Sequence, residues 1–173
     1  MSFWIHAFCH QTVASVSTQE LASGIAESLS LITYKFCPEK EEDPEEVLAR
    51  LKIEDMSGRG SFEVFRLHYR ADSPLFIRMD RHSNRASIEE MDHELLAKRP
   101  EHEMAPVRDL LAKATEDVSF SLSLEDVRGM GFPLAIAAAR HLVNKAGGLI
   151  LSGRYSWMVP KGKEVKILTE FEA

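Results

Sequence analysis

Arginine, histidine and aspartate side chains alternate with apolar ones along most of two neighbouring stretches, residues 62–70 and 75–82. The segment between them contains Asp, Ser and Pro, which favour turns, so we expect a β-hairpin. The register that buries every apolar side chain places Phe65, Leu67 and Tyr69 opposite Leu75, Ile77 and Met79. The other face of the hairpin then collects the side chains that could do chemistry: Arg66, His68, Arg70, Arg78, Asp80 and His82.

These six residues would form a cationic patch suited to a carboxylate or phosphate ligand. Arginine binds such groups bidentately, and histidine exchanges protons near neutral pH. We expect Arg66 to lie near Asp80 and His68 to lie near Arg78. The alternative is an ordinary solvated face of an antiparallel sheet, where one cross-strand ion pair contributes little.

The segment 39–46 is a second candidate surface, because six of its eight residues are acidic: Glu39, Glu41, Glu42, Asp43, Glu45 and Glu46. Part of this pattern has a structural explanation. Asp43 can cap a helix that begins at Pro44, and acids in the first turn favour the positive end of the helix dipole. Exposed carboxylates would also attract a partner protein with a basic surface.

Two further groups of residues do not form a site by their spacing. His6 and His10 share a strand face but lie about 13 Å apart at roughly 3.3 Å per residue, while Cys9 points the other way, so zinc binding is not expected. The turn at Gly129 and Gly131 lacks the third glycine of a dinucleotide-binding loop. No nucleophile elbow, P-loop, HExxH, EF-hand or CxxC motif is present. The sequence therefore predicts no catalytic residue, no metal and no cofactor.

The elements that position these residues carry local signals. Hydrophobic periodicity and capping residues predict strands over 3–9, 31–36, 118–124, 149–151, 155–159 and 164–171, besides the hairpin. They predict helices over 18–29, 44–51, 88–99, 103–114 and 133–145. Helices in pairs between strands, together with an antiparallel hairpin, indicate an α+β fold. We expect a mixed, mostly antiparallel sheet with helices packed mainly on one face.

Composition limits the organisation and the partners. A chain of 173 residues suits one domain over 1–173, with a possible subdomain boundary within 83–104. The net charge of −6 argues against nucleic-acid binding. No basic leader or long apolar run is present, so we expect a cytoplasmic protein without a membrane anchor, in which Cys9 and Cys37 are free thiols.

The C-terminal third carries a pattern of small residues, with Gly129 to Pro133 before a helix of alanines, Gly147 and Gly148 after it, and Trp157 downstream. This arrangement resembles small uncharacterised bacterial α+β proteins, some of which are similar to immunity proteins that neutralise toxins. The resemblance implies a bacterial cytoplasmic protein and favours binding over catalysis. It assigns no functional residue.

Two main hypotheses follow. The first is a non-enzymatic acidic binding protein, of immunity type, that recognises a basic partner surface through segment 39–46. The second is a binder of a small anion, or an enzyme, that uses the Arg, His and Asp cluster of the hairpin. A structural subunit that dimerises through a sheet edge is a third reading, and the sequence leaves the oligomeric state open.

Overall fold

The computed structural model describes residues 3–13, 16–39, 42–60, 62–70, 77–82, 88–89, 99–152 and 156–169. Within these ranges the strands are β1 Phe3–Cys9, β2 Lys52–Asp55, β3 Glu63–His68, β4 Ile77–His82, β5 Glu116–Leu122, β6 Gly148–Leu151, β7 Trp157–Lys161 and β8 Glu164–Thr169. The helices are α1 Thr18–Phe36, α2 Pro44–Arg50, α3 Glu101–Leu111, α4 Leu124–Arg128 and α5 Gly131–Ala146. Ile88 and Glu89 are also helical.

All eight strands form one sheet in the order β2-β3-β4-β5-β1-β6-β7-β8. Every pair of neighbouring strands is antiparallel. The predicted α+β class is therefore confirmed, and the sheet is antiparallel throughout these strands. β1 and β5 lie at its centre, although they are separated by more than half of the chain.

The first face of the sheet is covered by α1 and α5 and carries the larger apolar core. Alternate residues of β1 point into it, and so do Phe65 and Leu67 of β3 and Tyr69 just after it, as the alternation predicts. The two helices approach closely, because Gly24 of α1 lies against His141 of α5. A Cβ at position 24 would come 2.1 Å from Nδ1 of that ring.

On the second face, the described part of the chain places one long helix, α3, at one end of the sheet. There α3 packs its predicted stripe of Met104, Val107 and Leu111 against β6 to β8 and against Phe8 and Trp157. On this face β1, β3, β4 and β5 carry mostly polar side chains. Of the described helices, α1 and α5 thus lie on the first face, as expected, and α3 lies on the second.

The strand predicted over 31–36 is wrong, because α1 continues to Phe36. Alternating residues there fit a strand locally, but Leu29, Ile32 and Phe36 also continue the helical stripe toward the core. Tyr34, which the strand pattern would have buried with Ile32, is 80% exposed.

Other elements follow the predictions with shifted ends. Ser17 caps α1 and Asp43 caps α2 through their side chains. β2 and the short α4 were not predicted. The connection predicted over 71–74 and the predicted strand position Leu75 lie outside the described residues, as does most of the helix predicted over 88–99. Ile88 is buried against the α3 core.

The register across the hairpin corrects one expectation. Phe65 and Leu67 face Met79 and Ile77, as predicted, but the residue directly opposite Arg66 is therefore Arg78, and Asp80 is only its diagonal neighbour. A register shift between Glu63 and Phe65 brings Glu63 opposite Asp80. His68 lies opposite Lys52 of β2, the strand that the sequence did not reveal.

Candidate functional site

Polar and ionisable side chains gather on the second face of the sheet, beside the part that α3 covers. We call this group the histidine–carboxylate cluster. It consists of His6 on β1, Glu63 and Arg66 on β3, Arg78, Asp80 and His82 on β4, and Asp117 and Ser119 on β5. Its three acids and Ser119 are buried.

Two histidines reach diagonally onto β5 from its two neighbours. His6 lies opposite Ser119 but donates from Nδ1 to both carboxylate oxygens of Asp117, at 3.1 Å each. His82 lies opposite Asp117, and its Nε2 is 3.2 Å from the Ser119 hydroxyl. Diagonal neighbours on a sheet are within reach of long side chains, so both rings can be held this way.

This arrangement can exchange protons but does not form a nucleophile relay. The Asp117 carboxylate orients His6 and leaves its Nε2 as the second ring nitrogen, which is the geometry of an acid–base histidine. A relay would require one histidine to join a hydroxyl to a carboxylate. Here Ser119 contacts His82 and Asp117 contacts His6, and within the described residues no hydrogen bond joins the two pairs.

The arginines of the cluster are engaged by its acids. Arg66 donates from Nε to Glu63 at 2.6 Å and from Nη2 to the other oxygen at 3.1 Å. This bidentate hydrogen bond, together with the charges of Arg66 and Arg78, holds the pKa of Glu63 below its usual range against the opposing effect of burial. Arg78 is half exposed, and its Nε lies 3.8 Å from Glu63.

Asp80 has the most unusual environment in the cluster. It is 6% exposed, and its Oδ2 accepts a long hydrogen bond of 3.5 Å from Nη2 of Arg78. Its Oδ1 is buried and has no hydrogen-bond donor from the protein. Buried carboxylate oxygens are normally hydrogen-bonded, because leaving one unpaired is costly.

Aromatic rings hold the two histidines in place. The His6 ring stacks between its strand neighbours, with centroid distances of 6.4 Å to Trp4 and 5.6 Å to Phe8. Phe62 lies 6.0 Å from His82 by ring centroids. Such contacts restrict ring rotation, so both imidazoles are preorganised.

The structure divides the six residues predicted for the hairpin patch. It brings Arg66, Arg78, Asp80 and His82 into one cluster. His68 bonds instead to Glu54 at 3.2 Å, at the edge of a separate depression of about 570 Å³ that Arg70 also lines.

The guanidinium of Arg70 is used in a different contact network. It donates to the buried Tyr69 hydroxyl at 3.0 Å, to Glu125 at 2.9 Å and to Asp126 at 3.2 Å. These partners lie on α4 and at the end of β3. Arg70 therefore secures packing at this end of the sheet, and it contacts none of the members of the histidine–carboxylate cluster.

Half of the cluster carries no site signal in the sequence. Nothing there marks Glu63, Asp117 or Ser119 as site residues, and the spacing of His6 is weighed only for metal binding. The alternation over 118–124 predicts a strand, but it does not reveal that Ser119 is only 2% exposed. Knowing which strands pair with β5 would have revealed these residues, because the two neighbours of β5, β1 and β4, supply the two histidines.

The acidic segment is used partly within the fold. Glu42 forms an ion pair with Arg50, and Asp43 accepts a hydrogen bond from the Glu45 backbone. The side chains of Glu39, Glu45 and Glu46 are exposed. Glu41 lies outside the described residues.

The residues weighed for a metal or nucleotide site have contacts within the fold. Cys9 is buried on the first face, where burial and nearby acids raise the pKa of its thiol to about 12, and His10 donates to the Leu110 carbonyl at 2.8 Å. In the described ranges no three His, Cys, Asp or Glu side chains are placed to hold a metal ion. Gly131 instead allows close packing, because a Cβ there would lie 2.7 Å from the Tyr69 hydroxyl oxygen.

Comparisons with known proteins give no further guide: no family model, no curated protein and no solved structure matches this chain. None of the helices in the described part of the chain has the length and apolar character needed to cross a membrane.

Proposed function

We propose that the protein binds a small ligand at the histidine–carboxylate cluster through a cationic or N–H-rich group that Asp80 accepts. The observation that carries this proposal is the buried Oδ1 of Asp80, which no protein group satisfies. A carboxylate in this position destabilises the folded chain unless something pairs with it. A local loss of stability of this kind is typical of binding sites, where a ligand supplies the missing hydrogen-bond partner.

The charges of the cluster favour a cation over the anion that the sequence suggested. Three buried carboxylates face two arginines. Because Glu63 already binds Arg66 bidentately, an anion would have to displace it. A ligand ammonium, amidine or guanidinium group would instead complete the coordination of Asp80.

The histidines give the same site a capacity for proton transfer. His6 is oriented by Asp117 and His82 by Ser119, and both rings lie on strands next to β5. A bound amine could exchange its proton with either ring. The proposed function is binding, and it does not require that the bound ligand be converted.

Matched four-carbon probes test the sign of the ligand charge. Putrescine carries two ammonium groups and succinate two carboxylates, and agmatine and inorganic phosphate extend the two series. Thermal unfolding and calorimetry should show saturable binding of putrescine or agmatine. A ligand concentration of about 100 times the Kd raises the free energy of unfolding by about 2.7 kcal/mol. For a chain of this size, this corresponds to an increase of roughly 5–11 °C in unfolding temperature.

The variant Asp80→Asn separates a binding role from a structural one. It should abolish the putrescine-dependent shift while the unfolding temperature without ligand stays equal or rises, because a neutral amide replaces a buried carboxylate that has one unsatisfied oxygen. Asp109→Asn, on the exposed side of α3, is the matched control and should change neither quantity. Binding of succinate or phosphate alone would support the anion hypothesis, and the absence of binding by any probe would contradict a site of this kind.

A second candidate function is the recognition of a basic protein surface by the acidic segment, as in an immunity-type protein. The observation that favours it is the exposure of Glu39, Glu45 and Glu46, for which the described residues provide no ion-pair partner. Complementary charge would speed association and select partners. The test is retention of a partner at low salt by the native chain and its loss from a Glu45→Gln/Glu46→Gln variant. Equal retention by both proteins would exclude this segment as the binding surface.

A further inference from the structure

An apolar cavity of about 280 Å³ lies at the end of the sheet where β1 begins and β5 ends. Its walls come from three elements besides α4: Phe3 and Trp4 at the start of β1, Leu122 at the end of β5, and Phe132 in the first turn of α5. Leu124 at the start of α4 closes one side. The cavity does not include any member of the histidine–carboxylate cluster.

Two large apolar side chains in the walls of this cavity are exposed to solvent. Trp4 is 39% and Leu124 is 43% exposed, and both are large side chains that proteins usually bury. A concave apolar surface of this size is the common form of a small-molecule site. The cavity is large enough for a short aliphatic chain or one aromatic ring system.

One charged side chain, Arg128, stands among the described residues that line the cavity. It is the last residue of α4 and is exposed, and within the described part of the chain it forms no ion pair or hydrogen bond through its side chain. The other arginines near this end are engaged, as Arg70 is by Glu125 and Asp126. Arg128 is therefore available to a ligand, and its planar guanidinium matches a carboxylate.

We propose that this cavity binds a small apolar carboxylate. The tail lies against Trp4, Leu124 and Phe132, and the carboxylate pairs with Arg128. The combination of an apolar wall with a single cation at its edge selects an amphipathic anion over a neutral hydrocarbon or a polyanion. This site is independent of the function proposed above, although Trp4 also stacks on His6.

The probes are octanoate and octan-1-ol, which share a chain and differ in charge, titrated into the full-length chain. Emission from Trp4 reports binding, because the other tryptophan, Trp157, is fully buried in the α3 core. We expect saturable binding of octanoate with a change in tryptophan emission and weaker binding of octan-1-ol. An absence of saturable octanoate binding would overturn the proposal.

Three variants separate the contributions. Arg128→Gln should weaken octanoate binding about tenfold, as expected for loss of a hydrogen-bonded charge pair, and leave octan-1-ol unchanged. Leu124→Gln should weaken both probes. Arg59→Gln, which removes an exposed arginine on the β2–β3 connection, is the control and should alter neither.

The outcomes also distinguish this site from the cluster. Asp80→Asn should leave octanoate binding unchanged, whatever it does to amines. Equal loss of both probes in Arg128→Gln, or equal effects of Arg128→Gln and Arg59→Gln, would show that Arg128 does not bind the carboxylate and would refute the proposal.

Discussion

Substitution of Tyr69 by phenylalanine tests how this end of the sheet is held to α4. The Tyr69 hydroxyl is buried and donates to Oδ1 of Asp126 at 2.5 Å, while it accepts hydrogen bonds from Arg70 at 2.9 and 3.0 Å. Asp126 is also buried, and its other oxygen accepts from the backbone and hydroxyl of Ser123 at 2.7 and 2.8 Å. Burial and the adjacent carboxylate raise the pKa of Tyr69, so the hydroxyl remains a donor at neutral pH.

The expected loss of stability in Tyr69→Phe depends on the hydrogen bonds that Asp126 keeps. A hydrogen bond to a charged group contributes about 1.5–3 kcal/mol. Without the hydroxyl, Oδ1 of Asp126 keeps Nη2 of Arg70 at 3.2 Å, which offsets part of the loss. We therefore expect Tyr69→Phe to lower the free energy of unfolding by about 2 kcal/mol, or the unfolding temperature by roughly 4–8 °C. The smaller side chain introduces no clash at Gly131.

Urea unfolding measures this loss, with an unchanged m-value as the sign that the denatured state is unaffected. The control is Tyr34→Phe, since Tyr34 is 80% exposed and its change should stay within about 0.5 kcal/mol. A cycle with Asp126→Asn should give a coupling energy of about 1–2 kcal/mol. If Tyr69→Phe and Tyr34→Phe are equally harmless, the hydroxyl does not secure Asp126 and the reasoning fails.

Three further predictions concern the helices and the thiols. Gly24→Ala should cost about 1–3 kcal/mol in urea unfolding despite the better helix propensity of alanine, because its Cβ overlaps the ring of His141, whereas exposed Ser23→Ala should cost nothing. Burial lowers the pKa of His141 in the folded chain, so its contribution to the free energy of unfolding should be fully present above about pH 6.5 and should be lost as the pH falls below that value. An identical dependence of stability on pH in His141→Gln would contradict this. A thiol reagent at pH 8 should modify half-buried Cys37 in the native chain but Cys9 only after unfolding, because burial raises the pKa of Cys9 to about 12; equal rates in the native chain would show that Cys9 is accessible.

Local signals in the sequence predicted the elements that depend on local forces. The caps at Ser17 and Asp43 and the alternation of β1 and β5 act within a few residues, and these elements have the expected type. The segment 31–36 was mispredicted because a strand pattern and a helical stripe coincide there. Only packing against α5 and the sheet favours the helix, and that packing is not visible in six residues.

The candidate site required information of longer range. The members on the hairpin that carry the predicted patch could be placed on one face from the sequence, because burial of the apolar side chains sets Phe65 opposite Met79. Its other half depends on β5 pairing with β1, which brings together His6 and Asp117, 111 positions apart in the sequence. No pattern in a single sequence specifies which distant strands become neighbours.

The sign of the ligand charge shows how one local irregularity can reverse a functional inference. Strict alternation places Glu63 on the apolar face with Phe65, so the opposite face of the hairpin looks cationic. The register shift between these two residues lets the Glu63 carboxylate reach Arg66 and Arg78. With β5 adding a further buried carboxylate, the arginines become internal partners, and Asp80 is left as the group that a ligand can pair with. An inference from hairpin composition alone therefore favours an anion, while the assembled sheet favours a cation.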